Sequence, residues 1–213
     1  GSPASSPTTS DPSFIRRRPR PPAHANAFAN ANAIAMPDLH DWSAADLSAA
    51  YAARTLSPVQ ATEAVIAHIA RWEPKLKALY AYDPERALGA AREAEARWRR
   101  GAPRSPLDGV PVTIKENIAT RGTPVPLGTA ATELVPAAED APPAARLAEA
   151  GCVLLAKTTM PDYGMLSSGL STFHALARNP WDLTKNPGGS SAGASAAAAV
   201  PCASPRRCAA WSA

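Results

Sequence analysis

Two separated stretches of this chain hold residue types that can move protons at a carbonyl group. Lys115 ends the apolar run Val110-Pro111-Val112-Thr113-Ile114. Far downstream, Ser190 and Ser191 follow Gly188 and Gly189 in Asn186-Pro187-Gly188-Gly189-Ser190-Ser191-Ala192-Gly193. A lysine leaving the end of an apolar strand emerges from a low-dielectric surround, which disfavours its charged form and lowers its pKa. A neutral amine can act as a general base, whereas a solvated ammonium cannot. Two glycines ahead of paired serines make a tight turn that presents hydroxyls beside unpaired N–H groups at a helix start.

Taken alone, each stretch admits a plainer reading. Lys115 can equally be a surface lysine closing a strand. The Gly-Gly-Ser-Ser turn can be a flexible linker, although a linker does not account for the apolar small-residue helix that follows directly. A phosphate loop of the G-x-x-x-x-G-K-[ST] kind needs a lysine after the glycines, and none is there. Ser191 serves as well as an ordinary helix cap.

The elements that must position these residues are legible from periodicity and caps. Ser43 caps a helix to about Ala53 with Leu47 and Tyr51 on one face. Ser57-Pro58 opens a second helix, in which Val65, Ile69 and Trp72 form an amphipathic stripe. Ala78 to Tyr82 reads as a short strand. Glu85 to Arg100 reads as a helix with Glu93–Arg97 and Glu95–Arg99 as i,i+4 pairs on its wet side. Asp108-Gly109 is a turn, and Val110 to Ile114 is a buried strand. Ala144 to Ala150 forms a short helix that Gly151 ends, and Cys152 to Ala156 forms another apolar strand. Alternating helices and strands predict an α/β fold with a mixed or parallel sheet.

Composition sets the frame. The chain has 213 residues, 46% of them hydrophobic, which suffices for a core. The first 35 residues, rich in Ser, Pro, Ala and Asn and without periodicity, are expected to be disordered, with Met36 as a natural start. Residues 36–200 form the patterned domain. The net charge of +4 draws on Arg16-Arg17-Arg18, Arg20 and Arg206-Arg207 in the unpatterned ends, so it is read as tail composition rather than a nucleic-acid site. Pro19 to Pro22 stands where an export signal needs an apolar segment, and no run approaches membrane-spanning length. Three cysteines, Cys152, Cys202 and Cys208, lack metal-ligand spacing and fit a reducing, cytoplasmic setting.

Read in order, several blocks resemble the amidase signature family. They are Leu107-Asp108-Gly109-Val110-Pro111-Val112-Thr113-Ile114-Lys115-Glu116-Asn117, Asp140-Ala141, Arg146 to Gly151, Leu154 to Met160, Arg178-Asn179-Pro180-Trp181-Asp182 and Pro187-Gly188-Gly189-Ser190-Ser191-Ala192-Gly193. The similarity runs from about Leu39 to Val200. It implies helices around one large mixed sheet, here its N-terminal part, and an amidase that cleaves a carboxamide C–N bond through a Ser–Ser–Lys triad. By position, Lys115 matches the triad lysine and Ser190 the bridging serine, on a cis bond from Gly189. Gly188, Gly189 and Ser191 match the supporting turn. The implied relay passes a proton from a nucleophilic serine through Ser190 to Lys115, with backbone N–H groups holding the oxyanion.

The resemblance also implies what this sequence lacks. The family's nucleophile sits about two dozen residues after the bridging serine in a Gly-Thr-Asp-x-Gly-Gly-Ser block, and no such block occurs here. Pro201 to Ala213 reads as an aberrant, frameshifted tail whose Ser204 and Ser212 have no glycine-rich surroundings, so the chain itself is expected to be inactive. Glu116 stands where the family more often has Asp. A second reading is the glutaminase subunit of a tRNA-dependent amidotransferase, and a third is a non-catalytic remnant. The resemblance implies a small amide substrate and no metal or organic cofactor; a homodimer is a further expectation. Thr159, Met160 and Ser167 to Thr172 line the acyl side or simply pack. His174 reads as a loop residue rather than a base.

Overall fold

The computed structural model describes residues 39–200; the expectations for residues 1–35, Met36 and Pro201 to Ala213, Ser204 and Ser212 included, lie outside them. Helix α1 spans Ala44–Ala52 and α2 spans Pro58–Leu76. Each opens on a serine, Ser43 or Ser57, whose side chain accepts from the third helical N–H in a reciprocal capping box. Strand β1 (Leu79–Tyr80) is shorter than expected because Ala81 turns left-handed at φ 50°, which breaks extended pairing. Helix α3 spans Pro84–Arg99, β2 Pro111–Lys115, α4 Pro142–Glu149, β3 Val153–Thr158 and α5 Ala192–Ala198. Helix α4 begins two residues ahead of the expected position because Pro142-Pro143 supply its first turn.

Among the described residues the sheet has three strands in the order β1-β3-β2. Central β3 pairs antiparallel with β1 and parallel with β2, the latter through the α4 crossover. The expected mixed sheet is therefore present, with part of the family's breadth. Helices α2 and α3 cover it through Val65, Ile69, Ala87 and Ala91, which pack on Val153, Leu155 and Ala156. Burying each large aliphatic side chain contributes on the order of 1.5–3 kcal/mol. A second cluster joins Leu47, Tyr51, Leu56, Ala61 and Val110 at the start of β2.

One expected surface pair is corrected. The helical spacing puts Arg97 on a wet face with Glu93, but its side chain is 15% exposed and the Glu93 contact is a loose 3.9 Å. Its principal partner is Asp108, fully buried, which it grips at 2.8 and 2.7 Å through Nε and Nη2. Asp108 also accepts from Arg104 N–H, while its own carbonyl accepts from the Trp98 indole. This knot fixes the turn that launches β2, and so fixes the line along which Lys115 leaves the strand.

Candidate active site

Strand register carries Lys115 to the edge of the sheet. Lys115 pairs with Thr158 as the last pair of the β2–β3 ladder, and Glu116 N–H continues it to the Thr158 carbonyl at 3.0 Å. Helix α5 lies against β2 and β3. Its buried Ala196 packs with Leu76, Ala78 and Val200, so small side chains let the helix and the turn before it approach the strand ends. Gly193 N–H donates to the Thr159 carbonyl and Thr159 N–H to that of Ala78, tying the helix start to both β3 and β1.

The turn itself depends on glycine. Gly188 has φ 89°, a region that side chains disfavour, and its N–H is held by the Asn186 side chain at 2.9 Å. A Cβ on Gly189 would lie 2.6 Å from the Leu166 carbonyl oxygen, and the Ser168 carbonyl crowds it as well. The Gly189–Ser190 peptide is cis. With the turn so placed, Lys115 Nζ donates to Ser190 Oγ at 3.0 Å.

The two residues singled out in the sequence are thus in hydrogen-bond contact. Both are half-buried. Burial holds the Lys115 pKa below its ordinary value, and the negative charge of Glu116 pulls it part of the way back. Ser191 stands at the N-cap of α5, exposed, and its side chain makes no capping hydrogen bond there. Thr159 and Met160 are buried in the packing beneath the turn. Ser167 to Thr172 forms a curled loop, with Asp162 Oδ1 accepting from both Thr172 N–H and its hydroxyl.

Sequence reasoning missed what lies behind the pair. Glu116 is fully buried; its Oε1 accepts from Gly128 N–H at 2.7 Å and its Oε2 contacts His174 Nε2. His174 is a loop residue as expected, yet its side chain is only 7% exposed and is ringed edge-on by Tyr80 and Phe173. Lys157, one strand over, is 2% exposed and donates to the Ile118 carbonyl at 2.8 Å. Burial pushes its pKa down to about 8 against an opposing pull from Glu116. A charged side chain inside an apolar strand was the available signal for Lys157; no local signal marks the long-range Glu116–His174 contact.

An α/β scaffold that brings a desolvated lysine to a serine on a glycine turn defines the class of protein at hand. The chain belongs to the amidase family, whose model matches residues 60–204. It is 40% identical over 165 residues to the A-type subunit of the Glutamyl-tRNA(Gln) amidotransferase of Chloroflexus aggregans, covering 78% of this chain and 34% of that protein. Among solved structures, a bacterial aryl acylamidase of the amidase signature family matches 76% of this chain with a TM-score of 0.67 and 32% identity, across 35% of its own length. The peptide amidase of Stenotrophomonas maltophilia matches 73% with a TM-score of 0.64 and 31% identity, across 33% of its length. The chain therefore spans about a third of the length of the relatives it matches. Among the described residues, no helix is long and apolar enough to cross a membrane.

Proposed function

We propose that this chain carries the lysine and bridging-serine portion of an enzyme that hydrolyses a carboxamide C–N bond. The observation that carries this reading is the 3.0 Å contact from Lys115 Nζ to Ser190 Oγ, made by an amine whose burial favours its neutral form. In this scheme neutral Lys115 accepts a proton from Ser190, which accepts one from an attacking serine as that oxygen bonds to the amide carbon. The proton returns along the same path to the leaving nitrogen as the C–N bond breaks. Water then hydrolyses the acyl-enzyme with the relay as base. The attacking serine belongs to a Gly-Thr-Asp-x-Gly-Gly-Ser block that these 213 residues do not contain.

The test follows from that division of labour. The gene is read past the Val200 codon in all three frames, and the protein from a frame that encodes the block is assayed for ammonia or aniline release. Release is expected, and Lys115→Ala should lower it by at least about a thousandfold, as loss of a proton-relay member does elsewhere. Release that survives Lys115→Ala undiminished would sink the proposal. The purified 213-residue chain alone should release nothing.

A second reading is favoured by the relatives named as the A-type component of an amidotransferase. In it the ammonia comes from glutamine and is used by partner subunits. Glutamine-dependent release that rises when partners co-purify would select it over a free-standing amidase.

A further inference from the structure

The turn that carries Ser190 is walled by a second loop. The carbonyls of Leu166 and Ser168 close on Gly189, and a Cβ on Gly169 would lie 3.4 Å from the Gly188 carbonyl oxygen. Gly164 comes equally near: a Cβ there would be 3.9 Å from the Cβ of Ser190. The stretch from Gly164 to Gly169 is therefore packed on the backbone that bears the bridging hydroxyl. Where this wall stands, Ser190 Oγ stands.

Both ends of the wall are moored to the chain that follows Lys115. At its start, Tyr163 N–H donates to the Leu127 carbonyl at 2.7 Å. At its end, Ser171 Oγ donates to the Gly128 carbonyl and accepts from the N–H groups of Phe173 and His174 at 3.1 and 2.8 Å. Glu116 then joins the two sides of this mooring. Its Oε1 accepts from Gly128 N–H at 2.7 Å, and its Oε2 contacts His174 Nε2. The carboxylate is fully buried, and the His174 ring is held edge-on by Tyr80 and Phe173, so neither partner swings out to water. Glu116 N–H also continues the β3 ladder to Thr158, which fastens the whole assembly to the sheet.

We propose that Glu116 and His174 form a clasp that positions the bridging serine: by closing loop 163–174 on the segment that follows Lys115, they hold Ser190 Oγ at the Lys115 amine. The inference rests on the Lys115–Ser190 reading above. Both act through the loop, as positioning residues. From the other side the turn is tied through Gly193 N–H to the Thr159 carbonyl, so the loop supplies the opposing hold. The margin is narrow. The Nζ to Oγ contact is 3.0 Å, and such a bond is gone once the separation passes about 3.5 Å. A misplacement of about 1 Å can cost a reaction on the order of a hundredfold in rate.

Amide hydrogen exchange on the full chain, resolved by residue, tests this, because it reports local opening separately from global unfolding. His174→Phe keeps a ring beside Tyr80 and Phe173 but removes the nitrogen that meets Glu116. His174→Gln gives up the ring and keeps a nitrogen donor at similar reach. The readout is the pair of amides at Gly188 and Gly193, hydrogen-bonded in the wild type to the Asn186 side chain and the Thr159 carbonyl. In His174→Phe both should exchange several-fold faster while the amides of α3 keep their wild-type rates, and His174→Gln should stay close to wild type. Unchanged rates at Gly188 and Gly193 in His174→Phe overturn the inference. Equal rates in the two variants do so too, as does an acceleration that α3 shares, since that reports the stability of the whole fold. Should His174→Phe fail to fold by circular dichroism, Ser171→Ala decides the matter. It removes the loop's other hold on Gly128 and should speed the same two amides without α3; wild-type rates there overturn the inference. Each of these failures leaves the Lys115–Ser190 reading standing. That reading falls, and the inference with it, if wild-type Lys115 reacts with acetic anhydride across pH as exposed Lys185 does.

Discussion

Arg97 and Asp108 lie eleven residues apart in sequence yet form a two-pronged ion pair, with Nε and Nη2 of the arginine at 2.8 and 2.7 Å from the two carboxylate oxygens. The pair bolts the last turns of α3 to the start of β2. Lys115 occupies its position because both ends of β2 are anchored, one by this pair and the other by the ladder to Thr158.

Arg97→Ala should therefore destabilise the fold by about 3 kcal/mol or more, because it leaves the Asp108 carboxylate buried without its cation. Urea unfolding followed by circular dichroism measures this. A loss below about 1 kcal/mol, the worth of an ordinary surface pair, would contradict the burial argument.

This arrangement shows where sequence reading reaches its limit. The periodicity of α3 places Glu93 and Arg97 as neighbours, and they are. Yet a local pattern cannot report a stronger partner beyond the helix, so Asp108 reads only as a turn residue. Likewise, the Lys115 and Ser190 stretches are legible because each carries its own local chemistry and the resemblance orders them. Glu116 and His174 do not pair in advance, since neither flank hints at the other. The shortness of β1 hinges on one left-handed residue, Ala81, whose side chain does not advertise that backbone.

Lys157 gives a pH prediction whose sign is set by burial. Its pKa is about 8 in the fold against an ordinary 10.5, so between those values the unfolded chain binds more protons than the native one. Stability should rise as pH climbs from about 8 towards 10.5, and below that window the buried charge costs on the order of 3 kcal/mol. Comparing urea midpoints at the two ends of the window for wild type and Lys157→Met measures the effect. The variant should lose most of the rise, and an unchanged slope would refute the assignment.

Gly189→Ala should break the serine turn. The added methyl meets the carbonyl oxygens of Leu166 and Ser168, and neither can withdraw without moving its backbone. A cost of about 1–3 kcal/mol is expected from such overpacking. More telling, Lys115 should lose its Ser190 partner, so its labelling profile with acetic anhydride, read by mass spectrometry, should change while that of exposed Lys185 stays fixed. A variant as stable as wild type with an unaltered profile would mean the turn tolerates a side chain.

Lys115→Met tests the reverse dependence. Methionine retains the stem that packs at the strand end but offers Ser190 no amine. The fold should lose no more than about 1.5 kcal/mol, the range for shape-conserving replacements. A thermal melt checks this; a collapse of the melting temperature would assign the lysine a structural rather than a chemical purpose.

The contact between Lys115 and Ser190 spans 75 residues of chain. At ribosomal rates of about 5–20 residues per second, the amine is made roughly 4 to 15 s before its hydroxyl. Through that interval the nascent polypeptide holds a lysine whose eventual neighbour has not yet been translated. Its hydrogen-bond partner thus arrives late in synthesis, after the sheet that carries the lysine can already have closed.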